Sequence, residues 1–551
     1  MKKNIHSANN FIFSFVLLFC FAQQVIAQNI TNYSFTATNG TYTALSGAAT
    51  ASGTGTGDEG QWNSVPIGFD FWYMGVRYTT VSASSNGWLT LGATITTPTP
   101  TNSLYSGGAP RPILAPLWDD LNIQNGANAT YLTSGTAGSR IFTMQFQTYK
   151  WDHSATGNTI SFQVKLYEAT GKIQYIYKPE TGTLNLASAS IGISATATGS
   201  GNFLSLNNTG TSPTASSVTE TSSLNSKPAL GQTYTFTPPV PAAPTSLSFT
   251  TVTSTATTLN WTDNSSNETG FAIYRSLDGT TYSYVIQTAA NATSSVQTGL
   301  SENVTYYWKV YAVTEGALSN VISGSQLTTC TAPTLTATST GNCVGGTNTG
   351  TITASASGGA TPYTYSLNSA TYQSSATFTA LAAGTYTLAV KSNTGCVTTI
   401  SVIVTQYGAS ADDQNATGTN TWIGHVYDGT AFTTYAGQMT EMETFNESFG
   451  GSTTCFNILS NAVTSSIYTE TFSVKFKMNS TKKGLYVADL GSDDGTRLTV
   501  DGTMVYNNWT DQNFATKPAV LFNLTGSSSL LYEFYENGGS NQVIFQNLTL
   551  I

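Results

Sequence analysis

Adjacent carboxylates are the chain's first feature with chemistry in it. Asp493 and Asp494 stand side by side in Ser492-Asp493-Asp494-Gly495. Such a pair supplies several hard oxygens at one point, the donor type of which Ca²⁺ takes six to eight. Asp119-Asp120 follows an apolar run and reads as a solvated strand terminus, and Asp412-Asp413 lies in a polar linker and reads as solvated too. Asp501-Gly502 has the composition of a two-residue hairpin turn. Trp509 offers a ring face on which a sugar stacks, and equally a packing surface for its own loop.

Catalytic sets are thin. Past the first 27 residues the histidines are His153 and His425, far apart and each readable as a surface or packing residue. There is no nucleophile elbow and no His-Glu-x-x-His pair. A glycosidase needs two carboxylates, but nothing in the spacing of acids such as Glu168 and Glu443 supports that pairing. Gly55 to Gly60 has dinucleotide-loop spacing, yet it carries two acids where pyrophosphate would sit and leads into strand-like sequence. No enzyme is expected.

The elements that must position these residues are strands. Charged residues are 9% of the 551, against roughly 25% in ordinary globular chains, while aromatics reach 12%. Thr, Tyr, Phe and Val suit pleated half-buried surfaces, and the 50 Gly suit turns. Ile67, Phe69 and Phe71 alternate, as do Phe142, Met144 and Phe146. Ile160 to Leu166 turns at Thr170-Gly171 and returns as Ile173, Tyr175 and Tyr177, a hairpin. The expected fold class is all-β, four β-sandwich modules in tandem after a signal peptide.

That peptide is residues 1–27. Lys2 and Lys3 precede an apolar run from Phe11 to Phe21, and the cut is expected after Ala27. The run is shorter than the roughly 17–25 residues of a bilayer span, so an uncleaved anchor is disfavoured, and no later segment spans as a helix. Phe19 before Cys20 argues against lipid attachment. The mature charge of −11 repels phosphate backbones, which excludes nucleic acid as a partner. An oxidising compartment permits disulfides, and spacing alone leaves three pairings of Cys330, Cys343, Cys396 and Cys455.

Along the chain, residues 28–237 form the first expected module. Ser84-Ser85-Asn86-Gly87-Trp88-Leu89 and Ile113-Leu114-Ala115-Pro116-Leu117-Trp118-Asp119-Asp120 resemble an N-terminal sandwich of exported proteins of gliding bacteria, and the second block is similar to nidogen-like extracellular domains. Residues 238–244, rich in proline, read as a semi-rigid spacer. Residues 245–329 resemble a fibronectin type III domain, on Leu259-Asn260-Trp261, Phe271-Ala272-Ile273-Tyr274-Arg275 and the alternation Tyr306, Trp308, Val310, Ala312. That resemblance makes Trp261 the core tryptophan and Tyr306 the corner tyrosine whose hydroxyl bonds back to the chain.

Residues 330–406 carry Gly341-Asn342-Cys343-Val344-Gly345-Gly346, a central Gly358-Gly359-Ala360-Thr361-Pro362-Tyr363, and Asn393-Thr394-Gly395-Cys396. They resemble the SprB-type repeat of surface adhesins, and the resemblance implies a Cys343–Cys396 disulfide. Residues 407–551 open on Trp422-Ile423-Gly424-His425 and close on Leu531-Tyr532-Glu533-Phe534-Tyr535-Glu536-Asn537, with Ser492 to Gly502 between. This order resembles the protective-antigen type β-sandwich. In lectin-like members of that family adjacent aspartates, joined by a cis peptide, hold one Ca²⁺ that coordinates sugar hydroxyls, with further oxygens from an asparagine and carbonyls of a second loop. The resemblance therefore implies Ca²⁺ as cofactor at Asp493 and Asp494, with Asn537 and Asn541 on the second loop.

The sequence thus describes a secreted or outer-surface adhesion or glycan-binding protein, its partner a glycan or surface glycoprotein and its last module the Ca²⁺-dependent head. The rival expectations are an accessory part of a secreted hydrolase and a pure spacer.

Overall fold

The structure is a computed structural model describing residues 29–51, 57–106, 108–123, 129–451 and 453–551. The expected signal peptide, and part of the Gly55–Gly60 run, lie outside the described residues. The chain is all-β, in antiparallel sheets that form several sandwiches. Among the described residues there is no α-helix, only a 3-10 turn at Ile30–Asn32, and no helix long and apolar enough to cross a membrane.

The chain divides into two compact units at Thr328/Thr329. The first unit opens with an eight-stranded sheet facing a seven-stranded one. The alternations read from sequence point into the space between them, where Ile67, Phe71, Phe142, Phe146, Phe162 and Tyr177 are buried. The hairpin pairs Ile160–Tyr167 with Ile173–Pro179 as expected. Strand Ile113–Trp118 is buried along its whole length because it serves two cores. Leu114 and Leu117 face the main one, while Ile113, Ala115 and Trp118 face a second packed around Trp88.

A three-stranded and a four-stranded sheet follow, sandwiching Trp261, Phe271, Tyr306 and Trp308. The Tyr306 hydroxyl accepts from the Ser301 amide at 2.8 Å, the expected tyrosine corner. The proline-rich connector does not act as a free spacer. The Pro239 carbonyl accepts from the Thr314 hydroxyl at 2.5 Å, and the two sandwiches it joins are in contact. Trp72 packs with Ala272 and Val313, the Tyr274 hydroxyl donates to Asp70 at 2.9 Å, and Asn32 donates to the Glu315 carboxylate at 2.6 Å. Composition signalled a stiff segment; side chains far from it in sequence decide that it lies against a joint.

The second unit begins with two three-stranded sheets and ends with a nine-stranded sheet packed on a four-stranded one. The expected Cys343–Cys396 disulfide is incorrect: Cys330 pairs with Cys396 and Cys343 with Cys455. The reason is strand direction. Strands Thr334–Thr340 and Val397–Val404 lie side by side and run the same way. Thr398 donates to the Pro333 carbonyl at 2.6 Å, Ser339 to Ile403 at 2.8 Å, and Asn342 bridges Gln406 in parallel. Cys396 is therefore level with the start of the strand beside Cys330, and Cys343 stands beyond its far end, more than about 23 Å away along seven strand residues at about 3.3 Å each.

Cys343 instead meets the last sandwich. Val344 makes a parallel bridge to Ile467, its amide donating to the Ser466 carbonyl at 2.8 Å and its carbonyl accepting from the Tyr468 amide at 2.9 Å, and its side chain is buried in the core around Trp422, Phe476 and Tyr532.

Candidate cation site at the loop end of the last sandwich

Period-two alternation builds this site. Strand Ser528–Glu536 turns Leu530, Tyr532 and Phe534 into the core, and Glu536 follows in the same phase. Strand Phe472–Ser480 does the same with Phe472, Val474 and Phe476, and two residues before it stands Glu470. Phe472 is the register partner of Glu536, so the two glutamates arrive together at one end of the sandwich. Strand Lys483–Ser492 delivers Asp493 and Asp494 to that end, where the Asp493 amide donates to the Gln542 carbonyl at 2.8 Å. Gly495 follows because any side chain there would run into the Tyr535 ring.

All of these carboxylates are at least half-buried, Glu536 completely and Asp493 and Asp494 to within 8% and 5% exposure. Burial first, and then repulsion from Asp494, push the Glu536 carboxyl up to about 8, with Asp493 and Glu470 adding to the repulsion. Burial and then Asp494 also raise Asp493. Oε2 of Glu536 and Oε2 of Glu470 are buried without a hydrogen-bond partner. Buried carboxylate oxygens with no donor are costly unless something positive meets them.

The residues singled out from sequence fall into different roles. Asp494 accepts the Gln512 amide at 3.0 Å on one oxygen and the Asn537 amide at 2.6 Å on the other, tying two loops together. Asp493 has no hydrogen bond to its carboxylate among the described residues. The cis peptide implied between them is absent; among the described residues the cis bonds precede Pro112 and Pro362. Asn537 is exposed and donates its side-chain amide to Asp511 at 3.1 Å.

Asn541 turns inward. It accepts the Gly451 amide at 2.8 Å and donates to the Gly451 and Thr469 carbonyls, so its side chain is committed to clasping a neighbouring loop. Trp509 packs edge-on against Tyr535 at 4.6 Å and is overlaid by the Arg497 guanidinium at 4.3 Å. Its ring is half-buried. Sequence reading missed Glu470 as a site residue and left Glu536 as an unassigned loop-edge residue. The signal was available, since both lie in phase with the core residues of their strands.

The donor set suits a hard cation: oxygens only, several of them charged, two of them orphaned. Among the described residues, no three Asp, Glu, His or Cys side chains already converge as a metal-holding group. Remaining oxygens would come from carbonyls, amide side chains and water, the mixture Ca²⁺ accepts.

Elsewhere the bland readings need adjustment. Asp119, expected to be solvated, is buried and accepts from the Trp151 indole at 2.8 Å and the Ser188 hydroxyl at 3.1 Å. Asp120 pairs with surface-exposed His153 at 2.8 Å. Asp412, also expected to be solvated, accepts the Asn461 amide at 2.7 Å. His425 is fully buried against the Ala416 carbonyl at 2.8 Å, and burial lowers its pKa. Asp501-Gly502 forms its hairpin turn with both residues at positive φ.

Comparisons with known proteins match two segments of the chain. Residues 32–238 match the family model described as NIDO related, and residues 242–325 match the fibronectin type III domain. The chain thus combines a NIDO-related domain with a fibronectin type III domain. Both are extracellular, non-catalytic types. No curated protein matches.

Among solved structures, the PA14 domain of the MpAFP antifreeze protein is similar at 15% identity and TM-score 0.20, covering 26% of this chain and 87% of that one. A PA14 sugar-binding domain from an RTX adhesin is similar at 16% identity and TM-score 0.18, covering 23% and 88%. A two-domain fibronectin type III segment of chicken tenascin is similar at 15% identity and TM-score 0.23, covering 30% and 99%.

Proposed function

We propose that this is a secreted or surface-held adhesion protein whose last sandwich binds a glycan or surface glycoprotein through Ca²⁺, with the preceding sandwiches as its stalk. The observation that carries this reading is the buried carboxylate group at one loop end, with unpartnered oxygens on Glu536 and Glu470. Asp493, Asp494 and Glu536 are the residues that would hold the ion. Bound there, Ca²⁺ would supply open coordination positions for vicinal sugar hydroxyls.

Asn537, exposed beside Asp494, would orient such a ligand on giving up its bond to Asp511, whereas the side chain of Asn541 is committed to the loop. The resemblance of residues 330–406 to SprB-type adhesin repeats supports the surface setting. A glycan array probed with and without chelator tests the reading: binding lost with chelator and with Asp493→Asn supports it, and equal binding in both conditions removes the ion from the mechanism.

One observation favours a pure spacer instead. Asp494 spends both oxygens on backbone amides, as a residue that only staples loops would. On that reading Ca²⁺ changes neither binding nor melting temperature.

A further inference from the structure

The first described residues fold back onto the joint between the first two sandwiches. Asn29 caps a single turn, its side chain accepting the Thr31 amide at 3.0 Å, and Ile30 and Tyr33 are buried in the first core. A turn of the second sandwich, residues 314–317, reaches across to meet them. The Glu315 carbonyl accepts from the Gly75 amide at 3.0 Å and from the Tyr33 hydroxyl at 3.4 Å. Gly316 is the residue that fits there, because a side chain would run into the Tyr33 hydroxyl and Pro238.

The Glu315 side chain is carried into this contact. It is 2% exposed, and among the described residues no Lys, Arg or His stands at ion-pair distance from it. Oε1 accepts the Asn32 side-chain amide at 2.6 Å and the Asn29 backbone amide at 3.5 Å. Oε2 is buried with no hydrogen-bond partner. A buried carboxylate served by neutral donors on one oxygen alone is costly, and a cation reaching the other offsets that cost.

The residue before Asn29 supplies such a cation once the chain is processed. Hydrolysis of the Ala27–Gln28 bond by a signal peptidase, at the expected cut, puts the hydroxyl of water on Ala27 and its hydrogen on the Gln28 nitrogen. That nitrogen then takes up a proton at neutral pH, since α-amines titrate at about 7.7–8.0. Gln28 lies just outside the described residues, but bond lengths alone keep its nitrogen within about 3.7 Å of the Asn29 nitrogen. The Asn29 nitrogen is itself 3.5 Å from Oε1. In the uncleaved chain the same nitrogen is a neutral amide.

We infer that the α-ammonium of Gln28 is the missing partner of Glu315, so that removal of the signal peptide locks the joint between the first two sandwiches. Charge and reach select this occupant: Oε2 lacks a cation, and Gln28 is the next residue along from a donor already on Oε1. The inference rests on the secreted part of the proposed function and on the cut after Ala27, and not on calcium.

The test takes residues 28–551, released from a cleavable leader so that Gln28 comes first, and keeps chelator present throughout. Acylation of the α-amine at about pH 7 is followed by mass spectrometry of the N-terminal peptide. It should be at least about tenfold slower in the folded protein than in urea, the factor that one unit of pKa represents. E315Q should acylate close to the urea rate. A second arm removes the charge from the other side: enzymatic cyclisation of Gln28 to pyroglutamate, with loss of ammonia. Cyclisation should lower the melting temperature of the first unit in wild type and leave E315Q unchanged. Equal acylation of wild type and E315Q, or wild-type melting indifferent to cyclisation, would overturn the inference. N-terminal sequencing of the exported protein tests the cut by itself. A first residue other than Gln28 also overturns the inference, and is told apart from a chain that begins at Gln28 and leaves Glu315 alone.

Discussion

Glu536 and Asp494 stand at the same end of the last sandwich, near enough to repel, and answer burial differently. Asp494 is satisfied by two amides that close the loops around it, and hydrogen bonds to a charged acceptor contribute about 1.5–3 kcal/mol each. Asp494→Ala should therefore destabilise the last sandwich by about 3 kcal/mol in denaturant melts, whereas Asp493→Ala in calcium-free buffer should change it little. An Asp494→Ala protein as stable as wild type would mean the loops hold without it.

A second residue-scale prediction concerns Glu441, on the opposite edge of the module. Burial first, and then the neighbouring Glu447, push its carboxyl up to about 7. Its folded pKa thus lies above the unfolded value near 4.3, so its neutral form is favoured on folding. That contribution is complete below about pH 4 and is lost as pH rises through 7. The melting temperature of the second unit should fall between pH 5.5 and 8, and Glu441→Gln should flatten that slope.

At the scale of elements, alternation made most of the fold readable. The phase of Leu530, Tyr532 and Phe534, carried one step further, reaches Glu536, and the phase of Phe472 and Val474, carried one step back, reaches Glu470. The candidate site was legible to that extent and was read only as far as the aspartate pair.

The disulfides were not legible. Cysteine spacing is blind to which strands run parallel, and the parallel neighbours Thr334–Thr340 and Val397–Val404 decide the pairing. Nor could sequence show that Val344 belongs to the core of the next sandwich, because a single apolar residue between Cys343 and a pair of glycines carries no periodicity.

Cys343–Cys455 encloses 112 residues of chain, for which the loop-entropy model gives about 4–5 kcal/mol. Cys343→Ser with Cys455→Ser should therefore split one calorimetric transition of residues 329–551 into two at lower temperature. A single unchanged transition would show that the Val344 bridge alone couples the sandwiches.

At the scale of the whole molecule, the first unit reads as one body of two sandwiches. Trp72, Asp70 and Asn32 on one side meet Ala272, Tyr274 and Glu315 on the other, and the connector lies against that contact. Loosening it with Trp72→Ala should expose residues 238–244 to limited proteolysis while each sandwich stays folded. Cleavage no faster than in wild type would mean the connector is protected by its own prolines.

On the proposed function the first unit is a stalk and the last sandwich its binding head, and that proposal rests on the ion. Calcium at a hundred times its dissociation constant stabilises a one-site protein by about 2.7 kcal/mol. Calorimetric titration of Ca²⁺ into the full chain should therefore show one site, lost in Asp493→Asn combined with Glu536→Gln, together with a rise in the melting temperature of the last sandwich. A flat titration up to millimolar Ca²⁺, or a site that survives both substitutions, would contradict it.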